Sequence, residues 1–339
     1  MSIIADADAP AAPPLALALG DPAGIGPEIA ARAWEAREAE GLAPFFAVGT
    51  PESLAAVWSG PVAVVEGPEE ARQVFRSALP LIRIDGTADC APGTPTLEGA
   101  RNALDALELA VGLTRSGAAS AIVTGPVSKA QLYAIGFTHP GQTEFVAERC
   151  GIAADMVAMM LAGPTLRTVP VTTHIALKDV PSAVTTELIV QRGRTTIRGL
   201  RRLFGIARPR IAIAGLNPHA GENGALGREE IDIVAPAIER LREEDAEIMG
   251  PLAADTMFHA RMRATYDAAL CLYHDQALVP LKTLHFDEGV NITLGLPIVR
   301  TSPDHGTAFS IAGKNMAEPG AMIAALRLAS DCARRLHAA

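Results

Sequence analysis

The chain has 339 residues, of which 49% are hydrophobic and 20% are charged, and its formal net charge is −9. This composition excludes wholesale disorder, and the negative charge argues against nucleic acid as a partner. No apolar run reaches the roughly 18–20 residues of a membrane span, the four cysteines form no CxxC pair, and the N-terminus lacks signal-peptide features. We therefore expect a cytoplasmic protein with reduced thiols, no membrane partner and a disordered tail over residues 1–14.

Strand and helix patterns alternate from residue 15 onwards. A glycine turn, GDPAGIG, follows the first strand, and Pro27 and Glu28 suit the first turn of the helix after it. Thr96 is placed to cap the longest helix of this half. The strands are predicted over 15–19, 44–49, 61–65 and 120–125, and further helices over 52–58, 68–78 and 97–115.

The second half continues the alternation. Helices are predicted over 143–150, 186–204, 228–244 and 317–337, and strands over 156–161, 166–174, 211–216, 268–273 and 291–296. The pattern predicts an α/β fold with a mostly parallel sheet covered on both faces. We expect a boundary near residue 135, with residues 15–135 and 300–339 in a first lobe and residues 136–299 in a second.

Three histidines follow strand-like runs at equivalent positions. His174 ends the run 166–174, His219 follows the strand at 211–216, and His274 stands near the end of the run 268–276. A lone histidine at a strand end is usually structural, but neutral imidazoles are also the commonest metal ligands. Three of them predict a divalent metal site. Asp255 and Asp275 are candidates to orient a ligand or to act as a base.

Other motifs point to an anionic small molecule. The turn at 20–26 does not match G-x-G-x-x-G, so the dinucleotide fingerprint is absent. Ser128 and Lys129 at a helix start suit a phosphate group. Lys282, Asn291 and Arg300 lie in one turn-rich segment and suit an anionic ligand, although solvated surface charge is an equal alternative for each.

Eight stretches together resemble the 4-hydroxythreonine-4-phosphate dehydrogenase family of vitamin B6 biosynthesis, from about residue 15 to the C-terminus. They are GDPAGIGPE (20–28), VTGPVSKA (123–130), HPGQTEF (139–145), VPVTTHIALKDVP (169–181), GLNPHAGENG (215–224), GPLAADTMF (250–258), YHDQALVPLK (273–282) and VNITLGLPIVRTSPDHGTAFSIAGK (290–314). The resemblance implies a two-lobed α/β/α fold like that of isocitrate and isopropylmalate dehydrogenases. It also implies a homodimer with the active site at the interface.

The resemblance assigns roles to individual residues. Metal ligands fall on the three histidines, one of them supplied by the partner subunit. Substrate contacts fall on Lys282, Asn291 and Arg300, and nucleotide contacts near Asn291, Leu294 and Asp304. The family's His-Thr pair beside the substrate falls on Gln142 and Thr143. Glutamine can donate a hydrogen bond but carries no charge, which leaves the substrate preference open.

The implied reaction is the NAD- or NADP-dependent oxidation of 4-phosphohydroxy-L-threonine, with one divalent ion (Zn, Mg or Co) per site. The product is a β-keto acid that loses CO2 to give 3-amino-2-oxopropyl phosphate. Three alternatives stay open, and one of them is a non-catalytic anion-binding module. A sibling dehydrogenase would act on 4-phospho-threonate, 4-phospho-erythronate or a cyclic dihydrodiol carboxylate, and a metal-dependent lyase or hydrolase would need no nucleotide.

Overall fold

The computed structural model describes residues 12–86 and 91–338. Most of the predicted tail, residues 1–11, and Cys90 lie outside the described residues. The strands in the described part are β1 (Leu15–Ala18), β2 (Phe45–Gly49), β3 (Val62–Val64), β4 (Leu79–Arg83), β5 (Ile122–Thr124), β6 (Ala158–Ala162), β7 (Arg167–Pro170), β8 (Arg210–Ala214), β9 (Glu247–Leu252), β10 (Ala268–Cys271), β11 (Val290–Leu294) and β12 (Arg300–Pro303).

The α-helices of the same residues are α1 (Gly26–Glu35), α2 (Pro51–Ala55), α3 (Pro68–Val74), α4 (Leu97–Arg115), α5 (Lys129–Ala134), α6 (Gln142–Arg149), α7 (Val180–Ala183), α8 (Thr186–Phe204), α9 (Ala235–Leu241), α10 (Ala260–Arg263), α11 (His274–His285) and α12 (Gly320–Ala338). A 3-10 segment covers Pro218–Gly224, and a π-helical turn, Glu230–Val234, leads into α9. None of the described helices is both long enough and apolar enough to cross a membrane.

The strands form one sheet in the order β3-β4-β2-β1-β5-β12-β11-β6-β7-β10-β8-β9. The pairs β12–β11, β11–β6 and β6–β7 are antiparallel, and the other neighbours pair in parallel. The expected mostly parallel α/β fold is therefore confirmed. The division into two lobes at residue 135 stays a prediction.

Both faces of the sheet are covered, as strand β1 illustrates. Leu15 and Leu17 pack into a core that includes α1, α8, α9 and α12, whereas Ala16 and Ala18 pack on the opposite face against α4. Further along the sheet, α11 covers the second face over β8 and β10. Side chains alternate across a strand, so a strand that is apolar at every position requires cover on both sides.

The two long helices at 97–115 and 186–204 are confirmed, and Thr96 caps the first by accepting a hydrogen bond from the Gly99 N–H at 3.0 Å. The strand-like run 268–276 is wrong in its second part, because β10 ends at Cys271 and α11 begins at His274. The Gln276 side chain accepts the Leu272 N–H at 2.7 Å, which takes that donor out of the sheet ladder.

Candidate active site

The turns that carry the three histidines leave the same edge of the sheet. Strands β7, β10 and β8 are neighbours in that order and run parallel, so their carboxyl ends lie side by side. His174 lies just past β7, His274 just past β10 and His219 just past β8. Ligands of open α/β sheets bind outside the carboxyl ends of strands, so this edge of the sheet is a candidate ligand-binding site.

A cavity of about 500 Å³ opens beside two of the three turns. His174 and His274 both line it, and their ring centres are 5.6 Å apart. Two imidazoles that share one metal ion, each about 2 Å from it, have ring centres about 5–6 Å apart. The spacing of this pair therefore fits a shared metal ion.

His219 does not line this cavity, and 66% of its side chain is exposed. Within residues 12–86 and 91–338 of one chain, no three metal-binding side chains come together. The structure thus brings together two of the three predicted ligands and leaves the third on the surface.

The two histidines in the cavity are suited to bind a metal as neutral rings. Burial lowers the pKa of His174, and the nearby charges of Lys129 and His274 lower it further, while Glu144 opposes them. The Nδ1 of His274 lies 2.6 Å from Asp275 Oδ1. A carboxylate only accepts hydrogen bonds, so Nδ1 carries a proton, and in the neutral ring that binds a metal Nε2 then supplies the lone pair. Asp275 therefore orients the imidazole ring of His274. Asp255, the other predicted aspartate, is exposed and does not line the cavity.

Arg300 is buried in the wall of the cavity. Its guanidinium donates to the hydroxyls of Thr143 and Thr293, both at 3.2 Å, and of Thr124 at 2.8 Å. Burial lowers the pKa of Arg300 to about 10, and Glu144 is the one charged group that works against this. Its Nε has no hydrogen-bond partner within the described residues. A buried cation held by neutral hydroxyls is suited to an anionic ligand.

Lys282 and Asn291 lie on the same cavity wall. The Nζ of Lys282 is 3.0 Å from Asp304 Oδ2 and donates to the Asp304 carbonyl at 3.3 Å. The buried Asn291 Oδ1 has no partner among the described residues. Among the described residues that line the cavity, basic side chains outnumber acidic ones. The basic residues are Lys129, Arg192, Lys282 and Arg300, and the acidic residues are Glu144 and Asp304. The cavity therefore has an excess of positive charge, although the protein as a whole is acidic.

The other predicted residues divide between the cavity and its surroundings. Gln142 and Thr143 line it at the start of α6, and Gln142 Nε2 donates to the Gly125 carbonyl at 3.2 Å. Ser128 caps α5 by accepting the Gln131 N–H at 3.4 Å and does not line the cavity. Leu294 is fully buried, so it exposes no surface that a nucleotide could contact.

Sequence reasoning missed two charged residues of the lining. Glu144 directly follows Thr143 in the stretch HPGQTEF, and its place in that stretch was the available signal. Arg192 comes from α8 and donates to the carbonyls of Asp155 and Val157. It is one of many arginines on that helix, and no local pattern distinguishes it.

The sequence matches the family described as Pyridoxal phosphate biosynthetic protein PdxA over residues 43–329. The chain belongs to this family. A curated PdxA relative from Zymomonas mobilis, named 4-hydroxythreonine-4-phosphate dehydrogenase, is 58% identical over 325 residues, which cover 96% of this chain and 97% of the relative. These findings confirm the family resemblance and the assignment of the chain to a family of dehydrogenases.

Solved structures agree with the PdxA assignment. A 4-hydroxythreonine-4-phosphate dehydrogenase from Klebsiella pneumoniae matches with a TM-score of 0.84 at 36% identity, over 95% of this chain and 100% of that one. A terephthalate 1,2-cis-dihydrodiol dehydrogenase from Burkholderia xenovorans matches with a TM-score of 0.64 at 28% identity, over 95% of this chain and 98% of that one. The same fold therefore serves dehydrogenases named for different substrates.

Proposed function

We propose that the protein oxidises 4-phosphohydroxy-L-threonine with NAD or NADP, giving a β-keto acid that decarboxylates to 3-amino-2-oxopropyl phosphate. The reaction serves the cytoplasmic synthesis of pyridoxine 5′-phosphate. The observation that carries the proposal is a cavity that combines two closely spaced histidines with an excess of basic side chains. The name of the curated relative gives the same substrate and reaction class.

A divalent metal ion fits the donors that the cavity offers. His174 and His274 would hold it, and neutral imidazoles suit Zn²⁺ or Co²⁺ better than Mg²⁺, which prefers oxygen ligands. The nucleotide would lie against the part of the wall that Asn291 and Asp304 form. When bound, the metal lowers the pKa of a coordinated alcohol, and the nicotinamide accepts the hydride.

The chain's own side chains bind and orient the substrate. Arg300 offers its guanidinium to the carboxylate or the phosphate, because no carboxylate bonds to it in the described part of the chain. Lys282, held in place by Asp304, neutralises the other anionic group. The unpaired Oδ1 of Asn291 accepts a hydrogen bond from the substrate's ammonium or hydroxyl group. Lys129 adds positive charge on the side where His174 lies.

The third metal ligand is His219 of the partner subunit, in a homodimer. This assignment is supported by the position of His219, which is exposed on its own chain and lies at the same sheet edge as the cavity. In a two-fold dimer, the turn that carries His219 in each copy would reach the cavity of the other copy, so both metal sites are completed together.

Exposed apolar side chains flank all three histidines and support the dimer. Ile175 and Leu177 follow His174, Val279 lies on α11 after His274, and Leu226 follows His219, each more than 40% exposed. Exposed apolar surface of this kind marks protein–protein contacts. A second copy that covers these side chains would also exclude water from the cavity.

A two-substrate assay tests the proposed reaction. The purified protein is supplied with 4-phosphohydroxy-L-threonine or 4-phospho-threonate, with NAD or NADP and with Zn²⁺, Co²⁺ or Mg²⁺, and reduced nucleotide is followed by its absorbance. We expect turnover of the first substrate, loss of activity with a chelator and recovery with metal. Consumption of substrate without any nucleotide would instead establish a lyase.

The second candidate function is that of a sibling dehydrogenase with a different substrate. The uncharged Gln142 lines the cavity at the position of the family's histidine, and a neighbour at 28% identity is named for a cyclic dihydrodiol. A glutamine is compatible with a substrate that presents a different hydrogen-bonding group there. Turnover of 4-phospho-threonate alone in the assay above would establish this sibling activity.

Hybrid dimers test which histidine crosses the interface. His174→Ala and His219→Ala are each expected to be inactive, but an equal mixture reassembled from monomers should recover about a quarter of wild-type activity. Half of the dimers are then hybrids, and each hybrid has one complete site. The matched control mixes His174→Ala with His274→Ala, which share a cavity, and should recover nothing. Recovery in the control mixture alone would mean that His274 crosses instead, and recovery in both mixtures would mean that His174 crosses.

A further inference from the structure

The turn that carries His219 has an unusual backbone. His219, Ala220, Gly221, Glu222, Asn223 and Gly224 are six consecutive residues with positive φ, at 52°, 51°, 77°, 44°, 58° and 95°. A left-handed run is unfavourable for residues with a β-carbon, and only two of these six are glycine. Strained backbone persists where the surrounding structure holds it, and it concentrates at functional sites. The support for this turn therefore has to come from elsewhere in the chain.

That support comes from Glu230, a buried carboxylate at the start of the π-helical turn before α9. Its Oε1 accepts the backbone N–H groups of Leu216 and Asn217, both at 2.7 Å. Its Oε2 accepts the Asn217 side-chain Nδ2 at 2.9 Å. Three donors at the entrance of the left-handed turn thus converge on one carboxylate.

The same carboxylate also lies against the middle of the turn. A β-carbon at Gly221 would come within 2.5 Å of Glu230 Oε2 and 3.0 Å of the Gly227 carbonyl oxygen. Gly221 is therefore required for close approach as well as for its positive φ. Glu230 therefore bonds to the entrance of the turn and packs against its centre, with His219 between these two points.

A second buried side chain joins the base of this turn to the neighbouring one. Gln276 Nε2 donates to the Gly215 carbonyl at 2.8 Å, and its Oε1 accepts the Leu272 N–H at 2.7 Å. Gln276 lies in the first turn of α11, which starts at His274. The segment before His219 and the segment before His274 are consequently tied together through one amide.

We propose that Glu230 is a positioning residue for metal binding: it holds the left-handed turn 219–224 so that His219 is presented to the metal site of the partner subunit. Glu230 touches neither metal nor substrate. The proposal rests on the proposed function only in taking His219 as a metal ligand. Outer partners that hold a ligand typically contribute 10- to 100-fold to metal affinity.

The test measures Co²⁺ binding to the metal-free dimer of the full chain, by titration and by the visible absorption of the bound ion. We expect Glu230→Ala to bind Co²⁺ about 10- to 100-fold more weakly and with an altered spectrum. Glu230→Gln keeps an oxygen for Leu216 and Asn217 and should recover most of the affinity. The matched control is Asp267→Ala, which removes a carboxylate that bonds the Arg210 N–H at the opposite end of β8.

Four comparisons of Co²⁺ affinity decide the outcome. If His219→Ala weakens Co²⁺ binding but Glu230→Ala does not, the positioning role is wrong and the ligand assignment stands. If His219→Ala binds Co²⁺ like the wild type, the ligand assignment itself fails. In the His219→Ala background, Glu230→Ala should cause no further loss of Co²⁺ affinity. A further loss there would show that Glu230 is a general structural residue. An equal loss of Co²⁺ affinity in Asp267→Ala would show the same. Should Glu230→Ala fail to fold, Asn217→Ala, which removes only one of the three donors, takes its place with the same outcomes.

Discussion

The rings of His174 and His274 lie 5.6 Å apart, centre to centre, on turns that follow two adjacent parallel strands. Neighbouring parallel strands deliver their carboxyl ends to one edge of the sheet, so the fold itself creates this pairing. Burial keeps the pKa of His174 below its usual value, and Asp275 fixes the ring of His274. The two imidazole rings are therefore preorganised to bind a metal cation.

The first prediction concerns metal content. His174→Ala and His274→Ala should each lose tightly bound metal and dehydrogenase activity, while the fold is kept because both rings lie at the edge of the sheet rather than in its core. Elemental analysis measures the metal content, initial rates measure the activity, and far-UV circular dichroism checks the fold. His259→Ala, an exposed histidine that does not line the cavity, is the control. Full metal content in either site variant would contradict the ligand assignment.

The second prediction separates substrate binding from stability at Arg300. Its charge is buried without a carboxylate partner in the described part of the chain, so Arg300→Met should change the free energy of unfolding by about 1 kcal/mol or less. The same change should raise KM for the anionic substrate about 30-fold or more, since a buried charge pair is lost in the complex. Urea unfolding and initial-rate kinetics give the two quantities.

Thr293→Val is the control for Arg300. It removes one of the three hydroxyls that accept from the guanidinium but leaves the charge in place. We expect a smaller rise in KM than in Arg300→Met. A large loss of stability in Arg300→Met with an unchanged KM would show that the arginine serves the fold and not the ligand.

Most of the fold could be predicted from the sequence because its signals are local. The helices at 97–115 and 186–204 carry their own periodicity and threonine caps, and uniformly apolar runs marked most of the buried strands, although β4 and β9 were not predicted. Strand β12 was missed because it is polar, Arg300–Pro303, although it is fully buried. The Arg300 guanidinium donates to the Thr124 hydroxyl and the Thr301 hydroxyl donates to the Ala325 carbonyl, and no local pattern reveals these contacts with distant parts of the chain.

The site was less predictable than the fold, because its geometry depends on tertiary contacts. Residue types and strand ends identified His174 and His274, but nothing in the spacing predicted that His219 would lie outside the cavity. The left-handed turn around His219 depends on Glu230, a residue eleven positions further along the chain. Arg192 reaches the cavity only because α8 packs beside it.

The third prediction concerns Gln142, which lines the cavity and donates to the Gly125 carbonyl. Gln142→His places a group that titrates near neutral pH beside the substrate. A protonated imidazole attracts an anion, so KM in the variant should fall as the pH is lowered through the histidine range. The wild type should lack this component. KM measured from about pH 6 to about pH 8 tests this, and identical profiles would show that position 142 does not face the anionic group.

The fourth prediction is a pH-dependent stability that leaves the site untouched. Partial burial acts to raise the pKa of Asp267, but the hydrogen bonds and charge of Arg210 outweigh it and hold this pKa below its usual value. A carboxyl group with a lowered pKa in the folded state stabilises the protein above its unfolded pKa, and this contribution is lost as the pH falls through the folded value. Asp267→Ala should therefore unfold about 1–3 kcal/mol more easily at neutral pH. The deficit should shrink as urea unfolding is repeated from about pH 6 down to about pH 3, and a deficit independent of pH would contradict the assigned ion pair.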